Sequence, residues 1–226
     1  YREAMQYTEV ARAGSERGEL VLRERREDRS RPVLELRANG VFVMDTEETS
    51  SETELGALAL GLVEDPRDVV IGGLGLGYTL RRVLADPRVE RVTVVEVEEA
   101  LIGWMRDGTV PHGPALLADR RVRIVNADIA MAIAEAREKH DLLLLDVDNG
   151  PGYLVHEDNA GLYSPAMLEQ CRSLLADGGV VVIWSANPAP ELLAALDGVF
   201  GNAEELPQQV LLQDRPEHYY LYVARR

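Results

Sequence analysis

From Asp68 onward the chain alternates between short apolar runs and longer segments with apolar residues every three or four positions. The runs "VVIGG", "RVTVVEVE", "RVRIVNAD", "DLLLLDVD" and "GVVVIWS" read as strands. Between them, "YTLRRVLAD", "EALIGWMRDG", "IAMAIAEAREK" and the segment Pro165 to Leu175 carry helical spacing. "APELLAALDGVF" reads as a further helix, and "QVLLQD" and "HYYLYVARR" as closing strands. Strands that are apolar on both sides must be covered on both faces, as in a parallel sheet packed between helices. The pattern predicts an α/β fold with a doubly wound, mostly parallel Rossmann-like sheet.

Before Asp68 the pattern is different. "GELVLRERRE" (Gly18 to Glu27) reads as a strand with a charged continuation. "VLELRANGVFVMD" (Val33 to Asp45) reads as a hairpin, because Asn39-Gly40 supplies the positive φ angles of a type I′ turn. "SETELGALALGLV" predicts a helix with Ser50 or Ser51 as N-cap and Leu55, Leu58 and Leu62 on one face. The expected organisation is a small N-terminal β-hairpin region, 1–48, followed by one catalytic domain, 49–226. A chain of 226 residues is long enough for one large core.

Charge narrows the partners. The formal net charge of -15 argues against non-specific binding to nucleic acid or to an acidic membrane, and favours cationic small molecules. No run approaches the length of a transmembrane helix, and "YREAMQYTEV" lacks the apolar centre of a signal peptide. Cys171 is the single cysteine, which leaves no internal disulfide or cysteine-based zinc site and makes a cytoplasmic location the expectation. Cys171 lies on a helical pattern and reads as a small core residue, as do Trp104 and Met105.

The candidate chemistry starts where the first parallel strand breaks into "IGGLGLGYTL". No Lys-Ser/Thr pair follows the glycines, so this is no triphosphate-binding Walker loop. A dinucleotide loop needs GxGxxG, whereas Gly73, Gly75 and Gly77 make GxGxG with Tyr78 at the remaining position. Such a loop also serves as a plain turn after a strand. Two acids at the next strand ends favour a ligand. Glu96 can accept from both hydroxyls of a ribose, and Asp128 from an adenine amino group, with the N-cap of the following helix as its alternative role. All three features fall on the carboxyl edge of the sheet, where open α/β sheets bind ligands. The expected nucleoside-binding set is Gly72, Gly73, Gly75, Gly77, Glu96, Val97, Ala127, Asp128 and Asp146.

These residues resemble the spermidine synthase family, a branch of the S-adenosylmethionine-dependent (class I) methyltransferase superfamily. The resemblance spans most of the chain: "LELRANGVFVMDTEETSSE", "IGGLGLGYTLRRVL", "VTVVEVEEALI", "RIVNAD", "DLLLLDVDNGPG" and "LYSPAMLEQCRSLLADGGVVVIWS". The family's loop reads GGGDGG. Here Leu74 and Gly75 stand at its third and fourth positions, so the aspartate that faces the amino end of decarboxylated S-adenosylmethionine in the family is missing. The family's Tyr-His-Glu reads Ser50-Ser51-Glu52, its Asp-x-x-Asp-Pro reads Asp146-Val-Asp148-Asn149-Gly-Pro, and Trp184 replaces a glutamine after the fifth strand.

The resemblance implies displacement at a carbon next to a sulfonium, with S-adenosylmethionine or its decarboxylated form as co-substrate, a small amine-bearing acceptor and no metal. An attacking amine must be unprotonated, so a carboxylate that holds it and takes its proton serves as general base. Asp146, supported by Asp148, is the candidate; Asn149 and Gly150 also read as turn chemistry. "PGYLVHEDNAGLYSP" reads as a polar lid at the same edge. Its Tyr153 and Tyr163, with Asp148 and Asn149, are the expected acceptor contacts, and His156, Glu157 and Asp158 are further candidates. Because the loop aspartate and the acceptor motif are altered, methyl transfer is preferred here. The alternatives are aminopropyl transfer to a diamine (spermidine synthase activity with polyamines) and a non-catalytic ligand-binding protein of the same fold. The exposed N-terminal hairpin leads to the expectation of a homodimer.

Overall fold

The computed structural model describes residues 5–26, 31–146, 161, 163–212 and 215–226. The N-terminal region is larger than a hairpin. Strands β1 (Gln6–Ser15), β2 (Gly18–Arg26), β3 (Val33–Ala38) and β4 (Val41–Asp45) form a four-stranded antiparallel sheet in that order. Asn39 and Gly40 turn the β3–β4 hairpin with φ of 51° and 76°, as Asn-Gly is suited to do. β1 escapes a hydropathy reading because almost every residue in it is exposed. Pairing with β2, from Gln6 opposite Arg26 to Ser15 opposite Gly18, defines it instead.

Helix α1 (Ser50–Gly61) follows. Its N-cap is Thr49, without a side-chain cap bond, and not Ser50 or Ser51. The two serine hydroxyls are used elsewhere: Ser50 Oγ donates to the Glu48 carboxylate and Ser51 Oγ to Glu52 Oε2.

The second sheet is the predicted α/β layer. It is built from β5 (Asp68–Gly72), β6 (Arg91–Glu96), β7 (Val122–Asn126), β8 (His140–Leu145), β9 (Leu175–Ser185), β10 (Glu204–Leu212) and β11 (Arg215–Arg225). The strand order is β10-β11-β9-β8-β5-β6-β7. β7, β6, β5, β8 and β9 pair in parallel, while β11 runs antiparallel to both β9 and β10. The connecting helices are α2 (Tyr78–Leu84), α3 (Glu99–Asp107), α4 (Gly113–Leu117), α5 (Ile129–Glu135), α6 (Pro165–Leu174) and α7 (Pro190–Phe200). The five-residue α4 was not among the expected elements; it is too short to show helical periodicity.

The parallel strands alternate between two cores. Val69, Ile71, Leu142, Leu144, Val180 and Val182 face one, and Val70, Leu143, Leu145, Val181 and Ile183 the other. A period of two with both sets apolar is why these strands read as continuous hydrophobic runs. Leu20, Leu22, Leu36, Ala38 and Met44 of the N-terminal sheet join the first core, so the division at residue 48 does not separate two packed interiors. Cys171 is buried in the second core and burial pushes its thiol up to about 12. Met105 is fully buried in the first core, with Trp104 packed partly against it.

At the amino edge of the sheet, Asp68 joins three strands. Its Oδ1 lies 2.7 Å from His140 Nδ1, and its Oδ2 accepts from Arg91 Nε at 2.6 Å. The carboxyl edge lies at the opposite ends of the same strands.

Candidate functional site

At the carboxyl end of β5 the chain must reverse tightly before α2, and glycine makes that possible. Gly73, Gly75 and Gly77 have φ of 106°, 52° and 85°, in the region that side chains with a Cβ rarely adopt. Gly73 N donates to Val95 O at 2.8 Å and ties the loop to β6. A Cβ on Gly77 would lie 2.9 Å from both Leu116 Cδ1 and Met105 Cε. One on Gly75 would lie 2.6 Å from Met44 Sδ, so the loop closes directly onto β4.

Glu96 ends β6 with its carboxylate buried. Oε2 accepts from Leu74 N at 2.9 Å and Oε1 from Glu98 N at 2.8 Å. Burial pushes the carboxyl above its ordinary value, and these amide bonds partly offset it. Asp128 performs the capping role weighed for it: Oδ1 accepts from Ala130 N at 2.8 Å and Met131 N at 3.2 Å at the start of α5. It also lines the cavity described next, so the two roles are compatible.

A cavity of about 380 Å³ opens over this edge. Gly73, Gly75, Glu96, Val97, Ala127, Asp128 and Asp146 lie in its wall. Gly72 and Gly77 of the expected set do not line it. Gly72 is buried beneath the loop, where a Cβ would meet Ile129 and Leu145 at 3.1 Å, and Gly77 shapes the entry to α2. Asp146 N donates to Gly72 O at 2.9 Å, which fixes the end of β8 beside the glycine loop.

The acceptor expectations fare differently. Asp148, Asn149 and Tyr153, with His156, Glu157 and Asp158, lie outside the described residues. Tyr163 is buried in the second core, next to the Ser164 cap of α6, and does not line the cavity. The expected acceptor contact is therefore not among the residues that line this cavity.

The structure brings other groups into the cavity wall. Glu48, Ser51 and Glu52 come from the turn into α1, Tyr78 and Thr79 from the start of α2, and Glu217, His218 and Tyr219 from β11. Trp184 of β9 stacks on Tyr219 with ring centroids 6.3 Å apart and planes 25° apart. Tyr219 Oη donates to Glu54 Oε2; burial, and then the Glu54 carboxylate, hold the phenol above its ordinary pKa. Trp184 Nε1 is buried and has no hydrogen-bond partner among the described residues. The acid-dense "DTEETSSETE" (Asp45 to Glu54) was the available signal for this wall. Nothing local indicates which of its acids turn inward.

Among known proteins, the spermine/spermidine synthase domain family matches residues 36–196. The polyamine aminopropyltransferase of Saccharolobus solfataricus is 29% identical over 136 residues, covering 58% of this chain and 43% of the relative. Polyamine aminopropyltransferase 1 of Pseudomonas aeruginosa is 28% identical over 144 residues, covering 60% of this chain and 48% of the relative. The chain thus spans about half the length of the curated relatives it matches. The spermidine synthase from Thermotoga maritima superposes with a TM-score of 0.77 at 19% identity, over 96% of this chain and 72% of that one. A spermidine synthase in complex with the transition state analogue AdoDATO gives 0.79, also at 19% identity, over 96% and 73%. These two likenesses concern the fold.

The names of the relatives overturn the preference for methyl transfer in favour of its aminopropyl alternative. The reason is physical. Every carbon attached to a sulfonium is electrophilic, and the placement of the nucleophile decides which one is attacked. The missing loop aspartate bears on how the ligand's tail is held, so it was weak ground for choosing the reaction. With a domain match over most of its length and the fold of the solved synthases, this chain belongs to the spermine/spermidine synthase family.

Proposed function

We propose that the protein is an aminopropyltransferase acting on decarboxylated S-adenosylmethionine and a small amine. The carrying observation is the 380 Å³ cavity, whose lining combines two acids at strand ends, Glu96 and Asp128, with acidic and aromatic groups from other elements, Glu48, Glu52, Trp184 and Tyr219. A volume in this range suits one small ligand or an elongated pair. The wall suits cations: carboxylates meet ammonium groups, and the Trp184 and Tyr219 rings cover methylene chains and attract positive charge.

In the proposed reaction the lone pair of the amine nitrogen forms a bond to the aminopropyl carbon next to the sulfonium. The carbon–sulfur bond breaks, its electron pair stays on sulfur, and methylthioadenosine leaves. The amine proton passes to Asp146, which lies in the wall beside the glycine loop. The main work of the protein is alignment and exclusion of water, since the sulfonium is already a good leaving group. The glycine loop, Val97 and Ala127 hold the adenosyl half in this reading. Asp148, Asn149 and Tyr153 stay as acceptor candidates from the sequence.

The test is incubation with decarboxylated S-adenosylmethionine and a panel of diamines, with methylthioadenosine release as readout. Release that depends on the diamine supports the reading. S-adenosylhomocysteine formed from ordinary S-adenosylmethionine, or tight nucleoside binding without turnover of either, overturns it.

We also infer a cytoplasmic homodimer. β1 is a ten-residue edge strand with Tyr7 and Val10 exposed and the exposed Met5 just before it, a template for pairing with another copy. Light scattering that shows only monomer removes the dimer.

A further inference from the structure

The glycine loop carries no carboxylate at Leu74, Gly75 or Leu76, and Met44 occupies the space beside Gly75. A ligand with an ammonium group on its tail therefore needs its counter-charge from another wall of the cavity. Most cavity acids are already committed. Glu96 accepts from Leu74 N and Glu98 N, and Asp128 caps α5. Glu98 pairs with Arg17 at 3.1 Å, and Glu48 accepts from Ser50 N at 2.9 Å.

Glu52 is placed differently. Ser51 Oγ donates to its Oε2 at 2.9 Å, and among the described residues no cation pairs with it. Thr79 Oγ1 donates to the Glu52 carbonyl at 3.3 Å, which sets Glu52 beside the first turn of α2, directly after the glycine loop. Glu52 lines the cavity together with Tyr78 and Tyr219, and its charge adds to burial in holding both phenols above their ordinary pKa. Glu48 and Asp45 add like charge around it. Asp45 has its countercharge in Arg25 at 3.5 Å, whereas no cation among the described residues pairs with Glu52, and a partly buried carboxylate without one is costly until a cation arrives.

We propose that Glu52 is the ammonium anchor of the cavity, the carboxylate that receives the terminal amine of the aminopropyl group in place of a loop acid at position 75. The assignment rests on the aminopropyltransferase reading above. It divides the acid wall: Glu52, on the side of the glycine loop, serves the nucleoside's tail, which leaves Glu217 on β11 for the incoming amine.

The experiment compares Glu52→Gln and Glu48→Gln with wild type by isothermal titration calorimetry. The two titrants are decarboxylated S-adenosylmethionine and methylthioadenosine, which shares the adenosyl group and lacks the aminopropyl tail. Glu52→Gln is expected to weaken the decarboxylated sulfonium by about ten- to a hundredfold, the scale of one charge-assisted hydrogen bond. Methylthioadenosine should bind as in wild type, which also shows that the variant is folded. Equal loss of both ligands, no loss of either, or a selective loss in Glu48→Gln alone overturns the assignment while leaving the aminopropyltransferase reading intact. A wild-type protein that binds neither nucleoside overturns both.

Discussion

Met44 Sδ accepts a hydrogen bond from Leu76 N at 3.2 Å, so a side chain of the N-terminal sheet closes the glycine loop of the α/β domain. The same sulfur lies 2.6 Å from the place a Cβ on Gly75 would take. Loop and sheet are complementary at this one point: a residue without a side chain faces a flexible thioether that fills the gap.

Gly75→Ala is therefore expected to cost about 1–3 kcal/mol, from its φ of 52° and from displacing Met44. Met44→Ala alone should cost about 2–5 kcal/mol for the cavity it leaves. Because the two changes relieve one shared contact, the double variant should be less destabilised than the sum of the singles. Urea denaturation of the four proteins checks this, and strict additivity would show that the contact is not made.

Glu96→Gln places an amide where two backbone N–H groups now meet a carboxylate. One of Leu74 N and Glu98 N then faces an NH₂ group, at a cost of about 1–3 kcal/mol. In the proposed reading, methylthioadenosine binding weakens by about tenfold or more, because the ribose loses an anionic acceptor. Calorimetry with that nucleoside checks the second effect separately from the first.

Glu52 links stability to pH in the ligand-free protein. Burial raises its carboxyl above the ordinary 4.5, Ser51 partly offsets this, and Glu48 and Asp45 reinforce it. The native state therefore binds this proton more tightly than the unfolded chain. The contribution of Glu52 to stability is full below about 4.5 and is lost as pH rises through its folded pKa. Glu52→Gln should unfold at a higher temperature than wild type at pH 7, with the advantage shrinking as pH falls toward 4.5. Thermal unfolding across that range reads the difference. A constant offset at every pH would mean that the carboxyl titrates normally.

At the opposite edge, His140→Ala should destabilise by about 2 kcal/mol, the worth of a hydrogen bond to a charged group. Burial opposes ionisation of Asp68, but His140 and Arg91 outweigh it and hold the carboxyl below its ordinary 3.8. Asp68 thus adds stability above that value, lost as pH falls through its folded pKa. Ligand binding should be unchanged in His140→Ala, because the amino ends of the strands lie away from the cavity. Loss of nucleoside affinity would contradict that separation.

The parallel layer was legible because its signals are local. Alternate residues of β5, β8 and β9 reach two different cores, so the strands had to be apolar throughout, and GxGxG had to follow the first of them to let the chain turn. Glu96 and Asp128 stood at strand ends, and strand ends on one edge share one surface whatever the details of packing. Beyond those features the sequence was silent, for two reasons. β1 carries almost no buried residue and exists by pairing with β2, a relation that hydropathy does not encode. Likewise, Glu52 is one acid among many in "DTEETSSETE", and only the packing of α1 on α2 and the return of β11 bring it into one cavity wall with Tyr78 and Tyr219. Sequence by itself determined the layered sheet, its glycine turn and the acids at its carboxyl edge, since each follows from the chemistry of neighbours along the chain. Tertiary structure alone decided the acidic wall, since its members come from α1, α2, β9 and β11 and meet only when the whole chain has folded.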